Sequence, residues 1–304
     1  MSTTHRRHSL APYAFLAPAV LLFAAFLALP IGYAVYLSLR TVKVRGLGLG
    51  KGSREQVWAG LSNYSKALTD PDFASSVLRV AAYGVIVVPT MLGLALLFAL
   101  LLDTPRARAR KFSRLAIFLP YAVPAVISSL LWGFLYLPSV SPFHHVADRL
   151  GWGLPDLLSS GSVIFAVANI AVWGGVGFNM VVIYTALKAI PTEIYEAAEL
   201  DGCGQIAVAW RIKVPVVLPS LIMTFVFSII ATLQVFAEPV TLRPLTNTIS
   251  STWTPLMKVY RDAFTRDDIY SAAATSVILA VATFVLSFGF LRLVQNRAFG
   301  QENR

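Results

Sequence analysis

The sequence contains few charged residues and a single cysteine. Charged residues make up 13% of the 304 residues and hydrophobic residues 57%, which lies outside the range of soluble domains. Cys203 stands alone, so an intrachain disulfide and a site built from several thiolates are excluded. The glycine-rich run 46–53 is not a phosphate-binding loop, because Lys51 precedes glycine instead of serine or threonine. No nucleophile stands near a base in the sequence. We therefore predict no metal site, no cofactor and no catalytic activity in this chain.

The sequence is instead rich in long apolar runs. A helix needs roughly 20 apolar residues to cross about 30 Å of hydrocarbon. Six runs are long enough: 11–37, 77–102, 113–138, 160–187, 214–236 and 271–294. The first run is too long for a signal peptide, and no small-residue cleavage site follows it. The sequence predicts an all-α, multi-pass membrane protein with six transmembrane helices, forming a single membrane domain over residues 1–304.

The net charge of +10 is explained by where the basic residues lie relative to the membrane spans, and not by nucleic-acid binding. Basic residues crowd the short connection between the second and third spans: Arg106, Arg108, Arg110, Lys111 and Arg114. Cytoplasmic loops of membrane proteins carry an excess of lysine and arginine. With six spans, this places both termini in the cytoplasm. The basic segment 40–54 would then lie outside, and the sequence does not indicate its role.

A polar segment, residues 188–213, separates the fourth and fifth spans. Its pattern predicts two short helices joined by a turn. Pro191 suits the first helical position, and Gly202 follows the last periodic residue, where a left-handed residue would end the helix. We expect a positive φ at Gly202 or a close contact of its Cα with a partner. The second helix should end before Pro215, because the residue before proline avoids the α region.

Eight residues of this segment and its continuation lie in a recognisable register: Glu196, Ala197, Ala198, Asp201, Gly202, Ile212, Pro215 and Pro219. The register resembles the EAA loop of binding-protein-dependent ABC importer permeases, and their sugar-importer subgroup in particular. Cys203, Ala209 and Val214 depart from the usual Ala, Phe and Leu. Residues 60–73 resemble the segment before the second span of the same permeases.

The resemblance implies a type I ABC importer permease fold in the bacterial cytoplasmic membrane. It implies four kinds of contact: the lipid bilayer, a second homologous permease, two cytoplasmic ATPase subunits, and an extracytoplasmic solute-binding protein. ATP and Mg would be bound by the ATPases and not by this chain. Residues 188–213 would form the coupling loop, with these residues contacting an ATPase: Glu196, Ala197, Ala198, Asp201 and Gly202. The permease would move a carbohydrate by alternating access.

Four polar or aromatic residues within the spans are candidates for the substrate pathway: Asn169, Trp173, Asn179 and Gln234. Sugar hydroxyls need hydrogen-bond donors and acceptors, and aromatic rings stack on the apolar faces of sugars. Intramembrane polar groups are costly and often functional. The alternative for each is packing between helices, where asparagine and glutamine donate hydrogen bonds across the interface.

Several other functions stay open at this point. Relatives that import glycerol 3-phosphate or glycerophosphodiesters give the main alternative, although the spans offer no cation for a phosphate. A secondary transporter should show inverted repeats and ionisable groups near mid-membrane, and neither is seen. A membrane-embedded enzyme and a scaffold that transports nothing are further alternatives. The sequence does not identify the solute, the subunit that holds it, or the structure of the outer loop 238–270.

Overall fold

The computed structural model describes residues 11–44, 54–104 and 109–298. Fourteen α-helices are found in this part of the chain: α1 Ala11–Phe23, α2 Leu29–Ser38, α3 Ser62–Thr69, α4 Pro71–Leu102, α5 Arg110–Phe118, α6 Ala125–Tyr136, α7 Pro142–Arg149, α8 Val163–Lys188, α9 Thr192–Leu200, α10 Gln205–Val208, α11 Val214–Leu233, α12 Ala237–Leu242, α13 Pro255–Tyr260 and α14 Ile269–Ala298. Wider π turns join α1 to α2 (Ala24–Ala28) and α10 to α11 (Ala209–Lys213), and a third (Arg261–Thr265) follows α13.

A β-hairpin follows the first membrane helix, which the sequence did not predict. Strand β1 (Arg40–Val44) pairs antiparallel with β2 (Arg54–Trp58). The side chain of Asn63 donates hydrogen bonds to the backbone oxygens of Ser38 and Arg40, at 2.8 and 2.7 Å. The glycine-rich run 46–53, predicted to be a flexible loop, lies outside the described residues.

The predicted apolar spans correspond to long helices, with one important difference. Within the described ranges, five helical stretches are long and apolar enough to cross a membrane, and the third predicted span makes a sixth only if its two halves are taken together. Those halves, Arg110–Ala122 and Ala125–Tyr136, meet at an angle of 97°. Pro120 and Pro124 flank the break, and each removes a backbone N–H that a continuous helix would use. Proline in a membrane helix usually marks a kink, and the span predicted at 113–138 is accordingly a broken helix.

The described residues form two compact units. One contains the described part of residues 1–70 with Asp262–Leu279, and the other contains residues 71–261 with the described part of 280–304. In the second unit α4 packs along α8, and α11 packs on both. Buried side chains such as Val87, Val167 and Trp253 form one core cluster, and Ala99, Met180 and Val217 belong to another. The prediction that residues 1–304 form one domain stays a prediction.

Gly177 allows the fourth predicted span to approach the broken helix closely. A Cβ at this position would lie 2.3 Å from the backbone oxygen of Ile117 and 2.6 Å from the Cα of Phe118. Real atoms do not approach so closely, and backbone atoms cannot move aside as a side chain can. The absence of a side chain at Gly177 therefore sets how α8 meets the end of α5.

The coupling loop has the predicted helix–turn–helix order but does not end as predicted. The second helix does not stop before Pro215: Val214 is helical, with φ −61° and ψ −46°, and the chain runs through the π turn into α11. A π turn bonds residues five apart, so it accommodates the missing N–H and the ring of a proline better than a regular turn. Pro191 caps the first helix in an extended conformation instead of forming its first residue.

Candidate functional site

A cavity of about 930 Å³ lies within the second unit, between α4, the broken helix, α8 and the end of α11. Its volume falls at the upper end of the range for small-molecule sites. Aromatic side chains form much of its wall: Tyr83, Tyr121, Phe178, Phe227 and Phe236. The rings of Tyr121 and Phe178 stack with centroids 5.0 Å apart. The break in the third span contributes to the site, because Pro120, Tyr121, Val123 and Pro124 line it.

The polar groups of this cavity are almost all uncharged. Besides the two tyrosines they are Ser128, Asn179, Ser228, Thr232, Gln234 and Glu238. Glu238 is the one charged residue among the described residues that line the cavity, and lysine, arginine and histidine are missing from that set. The cavity thus presents hydroxyls, amides and one carboxylate next to aromatic rings.

The structure places two of the four predicted pathway residues at the cavity. Asn179 and Gln234 line it. Asn179 also donates hydrogen bonds to the backbone oxygen of Gly175 and to the sulfur of Met91, at 2.9 and 3.1 Å. Its amide nitrogen therefore serves helix packing, while its oxygen has no hydrogen bond among those described.

The other two predicted residues lie on the side of α8 that faces α6. Asn169 donates a hydrogen bond to the Tyr136 hydroxyl at 2.9 Å. The ring of Trp173 meets that of Trp132 edge to face, with centroids 5.9 Å apart. Neither belongs to the cavity lining. Their role in transport stays a prediction, and the contacts described for them are those of helix packing.

The coupling loop turns at Gly202, which has a φ of +76°. The predicted left-handed conformation is confirmed. Of the predicted ATPase-contacting residues, Glu196, Ala197, Asp201 and Gly202 are exposed and Ala198 is buried. The backbone N–H groups of Gly202 and Cys203 bond back to α9, which closes the helix end.

Large apolar side chains are exposed on the same loop. Leu200, Ile206 and Trp210 project from it, and Trp210 is 66% exposed. Ala209 departs from the phenylalanine that the family resemblance leads us to expect, and Trp210 supplies a large ring one residue later. Exposed apolar residues grouped in this way mark a contact surface.

A buried ion cluster joins both ends of the coupling loop, and we call it the Asp103 clasp. It consists of Asp103, Lys188, Lys213 and Tyr195. Asp103 lies just after α4, and each of its two carboxylate oxygens forms an ion pair with one lysine. The Nζ of Lys188 lies 2.7 Å from Oδ1, and the Nζ of Lys213 lies 2.7 Å from Oδ2. The side chains of Asp103 and Lys213 are 4% and 7% exposed, whereas Lys188 is 47% exposed.

Tyr195 brings the first coupling helix into this cluster. The Lys213 ammonium lies 5.1 Å from the centre of the Tyr195 ring, within the range of a cation–π interaction. Burial, and then the negative charge of Asp103, raise the pKa of the Tyr195 phenol to about 12. The phenol therefore stays neutral, and Asp103 carries the negative charge of the cluster.

Sequence reasoning missed the clasp and the position of Glu238. Asp103 and Lys213 are 110 residues apart, so no local pattern links them. The available signal was an acidic residue directly after a long apolar span, followed much later by lysines at both ends of a polar loop. Glu238 also lines the cavity, and the sequence did not indicate it as a pathway residue.

Residues 91–300 match the family described as "Binding-protein-dependent transport system inner membrane component". This match covers more than half of the chain. The chain belongs to this family. It is therefore the permease component of an ABC importer and resides in the bacterial inner membrane.

Sequence relatives extend the similarity over nearly the full length. The permease is 29% identical over 290 residues to the "sn-glycerol-3-phosphate transport system permease protein UgpA" of Escherichia coli O157:H7, with 94% of each chain covered. It is also 29% identical over 289 residues to UgpA of Agrobacterium fabrum (strain C58 / ATCC 33970), covering 94% of this chain and 95% of the relative.

Solved structures show the same fold. The permease is similar to a chain of a bacterial ABC transporter involved in the import of the acidic polysaccharide alginate, with a TM-score of 0.78 at 19% identity, covering 94% of this chain and 95% of that chain. A second structure of an alginate transporter, in complex with an alginate pentasaccharide-bound periplasmic protein, gives a TM-score of 0.77 at 19% identity, with 95% and 94% covered. These likenesses establish the type I ABC importer permease fold.

Proposed function

We propose that this permease is the translocating subunit of an ATP-driven importer of a neutral carbohydrate. The observation that carries the proposal is the lining of the cavity, where aromatic rings alternate with uncharged polar groups and a single carboxylate. Sugars present apolar C–H faces and a rim of hydroxyls. Aromatic rings pack against such faces. Hydroxyl, amide and carboxyl groups form hydrogen bonds with the sugar hydroxyls, which replace the bonds that these hydroxyls lose on leaving water.

The charge of the cavity argues against a phosphorylated solute. Glycerol 3-phosphate carries a phosphate that is recognised most strongly by arginine, lysine or clustered N–H groups. The described lining residues include no arginine, lysine or histidine, and their one carboxyl group is that of Glu238. A phosphate that leaves water without a cationic partner in the cavity is costly to bury. Import of glycerol 3-phosphate is nevertheless the second candidate, because the relatives at 29% identity are named for that solute.

The coupling loop supports docking to a cytoplasmic ATPase. Its exposed Leu200, Ile206 and Trp210 provide apolar anchors, and the tight turn at Gly202 fixes the two helices that carry them. A short helix presenting apolar anchors to a groove is a recurring mode of recognition. We propose that the exposed Glu196, Ala197, Asp201 and Gly202 form this contact, whereas Ala198 is buried within this chain. ATP and Mg would be bound in two ATPase subunits.

The remaining partners complete the transport cycle. We propose a second homologous permease beside this chain, an extracytoplasmic solute-binding protein on its outer side, and both termini in the cytoplasm. The ATPases can drive alternating access only if ATP binding favours one state of the permease pair over the other. The coupling loop would transmit that difference, because it is the element that contacts the ATPase.

The proposal is tested with the complete complex in nanodiscs, using the cognate solute-binding protein. Thermal-shift screening of the binding protein against neutral sugars, glycerol 3-phosphate and glycerophosphodiesters identifies its ligands, and loaded binding protein is then added to the complex. We expect a neutral saccharide to stimulate ATP hydrolysis and to be taken up. Stimulation by glycerol 3-phosphate and not by any sugar would support the second candidate. A chain that forms no complex with an ATPase would contradict the importer proposal as a whole.

A further inference from the structure

We infer that the Asp103 clasp is the element that transmits force between the coupling loop and the membrane helices. The inference rests on the proposed docking of the loop to an ATPase and adds a set of positioning residues to it. The decisive geometry is that one carboxylate at the end of α4 binds the residue that precedes the loop helices and the residue that follows them. The loop is thereby tied at both ends to a third helix.

The two ends are tied with different strengths. Lys213 is buried with Asp103, and its ammonium also faces the Tyr195 ring of α9. Lys188 is half exposed, and its ammonium lies 5.4 Å from the ring of Tyr184 on its own helix. Without Lys213 the buried Asp103 carboxylate would keep only the half-exposed Lys188, and ion pairs exposed to water contribute little. Lys213 should therefore be the main anchor and Lys188 an auxiliary one.

The position of the clasp suits the transmission of movement. Without it, the loop would connect to the membrane helices through the backbone at residues 188 and 213 and through apolar packing. Apolar contacts are non-directional and allow sliding, whereas two hydrogen-bonded ion pairs on one carboxylate fix distance and direction. When an ATPase moves α9, Lys213 and Asp103 carry that movement to α4, which lines the cavity with Tyr83, Val87 and Met91.

The test uses Lys213→Met, with Lys188→Met as the matched change at the other end. Methionine retains most of the apolar stem of lysine, and Asp103 keeps one cationic partner in each variant. Lys213→Arg retains the charge and serves as the conservative variant. Lys66→Met makes the same change at an exposed lysine of α3 and controls for the loss of one positive charge.

Two quantities are measured in the complete complex in nanodiscs. The first is the stimulation of ATP hydrolysis by loaded binding protein. The second is the rate at which a thiol reagent labels Cys203, the only cysteine of this chain, which lies in the coupling loop. If the partner subunits carry other cysteines, these are replaced beforehand.

We expect Lys213→Met to lower the stimulation at least about tenfold and to raise the labelling rate of Cys203 severalfold. Lys188→Met should change both by less than about threefold, because the pair is half exposed. Lys213→Arg and Lys66→Met should behave like the unmodified complex. A merely structural role would lower the amount of complex without changing stimulation per complex or the labelling of Cys203.

Each other outcome overturns a specific statement. If the unmodified complex is stimulated and Lys213→Met equals it in both measurements, the clasp inference is wrong while the proposed function stands. The inference also fails if Lys213→Met does not assemble and Lys213→Arg is normal, because the pair then serves folding alone. If the ATPases do not protect Cys203 of the unmodified complex from labelling, the proposed docking itself is wrong.

Discussion

Replacing Gly202 with valine tests whether the turn of the coupling loop has the role proposed for it. Gly202 has a φ of +76°, in the left-handed region that side chains with a Cβ resist. The space around it is open, since a Cβ built there meets no other atom within 4 Å. The effect of a substitution within this chain must therefore come from backbone strain and not from collision.

The size of the effect follows from that strain. The left-handed conformation is less favourable by roughly 1–2 kcal/mol for an ordinary L-residue, and β-branched residues are disfavoured further. Because each 1.4 kcal/mol is a factor of ten, Gly202→Val should reduce the population of the docking-competent loop by roughly 5- to 30-fold or more. The membrane helices are unchanged, so insertion and pairing with the second permease should be normal.

Two control variants separate backbone strain from side-chain size. Gly204→Val makes the same change two residues later, where φ is −68° and ψ is 160°, an extended conformation that valine adopts readily. Gly202→Asn keeps the strained position but introduces a residue that tolerates positive φ. We expect transport to be nearly normal in Gly204→Val, reduced only a few-fold in Gly202→Asn, and lost in Gly202→Val.

The assay is solute uptake per amount of membrane-inserted permease, combined with co-purification of the ATPase. Normal uptake by Gly202→Val would refute the reasoning, because the loop would then not need its left-handed turn for coupling. Equal loss of uptake in Gly202→Asn and Gly202→Val would also contradict the strain argument. Glycine would then be needed at position 202 for close contact with the ATPase and not for its positive φ.

Three further expectations follow from the exposed loop, the cavity and the membrane orientation. Trp210→Ala should weaken ATPase association at least about tenfold, as expected for a large aromatic anchor, whereas Trp152→Ala, equally exposed at 66%, should leave co-purification unchanged. Gln234→Ala should raise the apparent KM for uptake roughly 2- to 10-fold through a lost hydrogen bond. Trp173→Ala should lower the amount of protein without changing the KM. If Trp173→Ala raised the KM and Gln234→Ala did not, Trp173 and not Gln234 would contact the solute. Cys203 should react with a membrane-permeant thiol reagent in intact cells and not with an impermeant one, and labelling by the impermeant reagent would place the coupling loop outside.

The parts of the structure that the sequence predicted are those set by local physical chemistry. Apolar runs of sufficient length became helices because every backbone polar group must be satisfied within the membrane. The turn at Gly202 was predictable because a single residue type favours the left-handed conformation that ends a helix. In both cases the information lies within one stretch of the chain.

The parts that could not be predicted depend on contacts between distant segments. Asn169 and Asn179 lie on the same helix, and only the packing of α8 against α4 and α6 decides that Asn179 lines the cavity. Prolines 120 and 124 indicated a kink, but the 97° angle depends on how the two halves pack on other helices. The Asp103 clasp joins residues that no periodic pattern relates.

The cavity and the coupling loop are connected by two helices, α8 and α11. From Asn179, which lines the cavity, α8 runs nine residues to Lys188, a distance of about 14 Å at 1.5 Å per residue. From the other end of the loop, α11 begins after Lys213 and carries Ser228 and Thr232 to the cavity. A helix transmits a displacement along its axis with little loss, because its backbone hydrogen bonds resist compression. Movement of the loop must therefore shift both cavity walls together, provided that the clasp keeps Lys188 and Lys213 at a fixed separation. The same carboxylate that ties the loop to α4 would then determine whether ATP hydrolysis opens the cavity or is spent without transport.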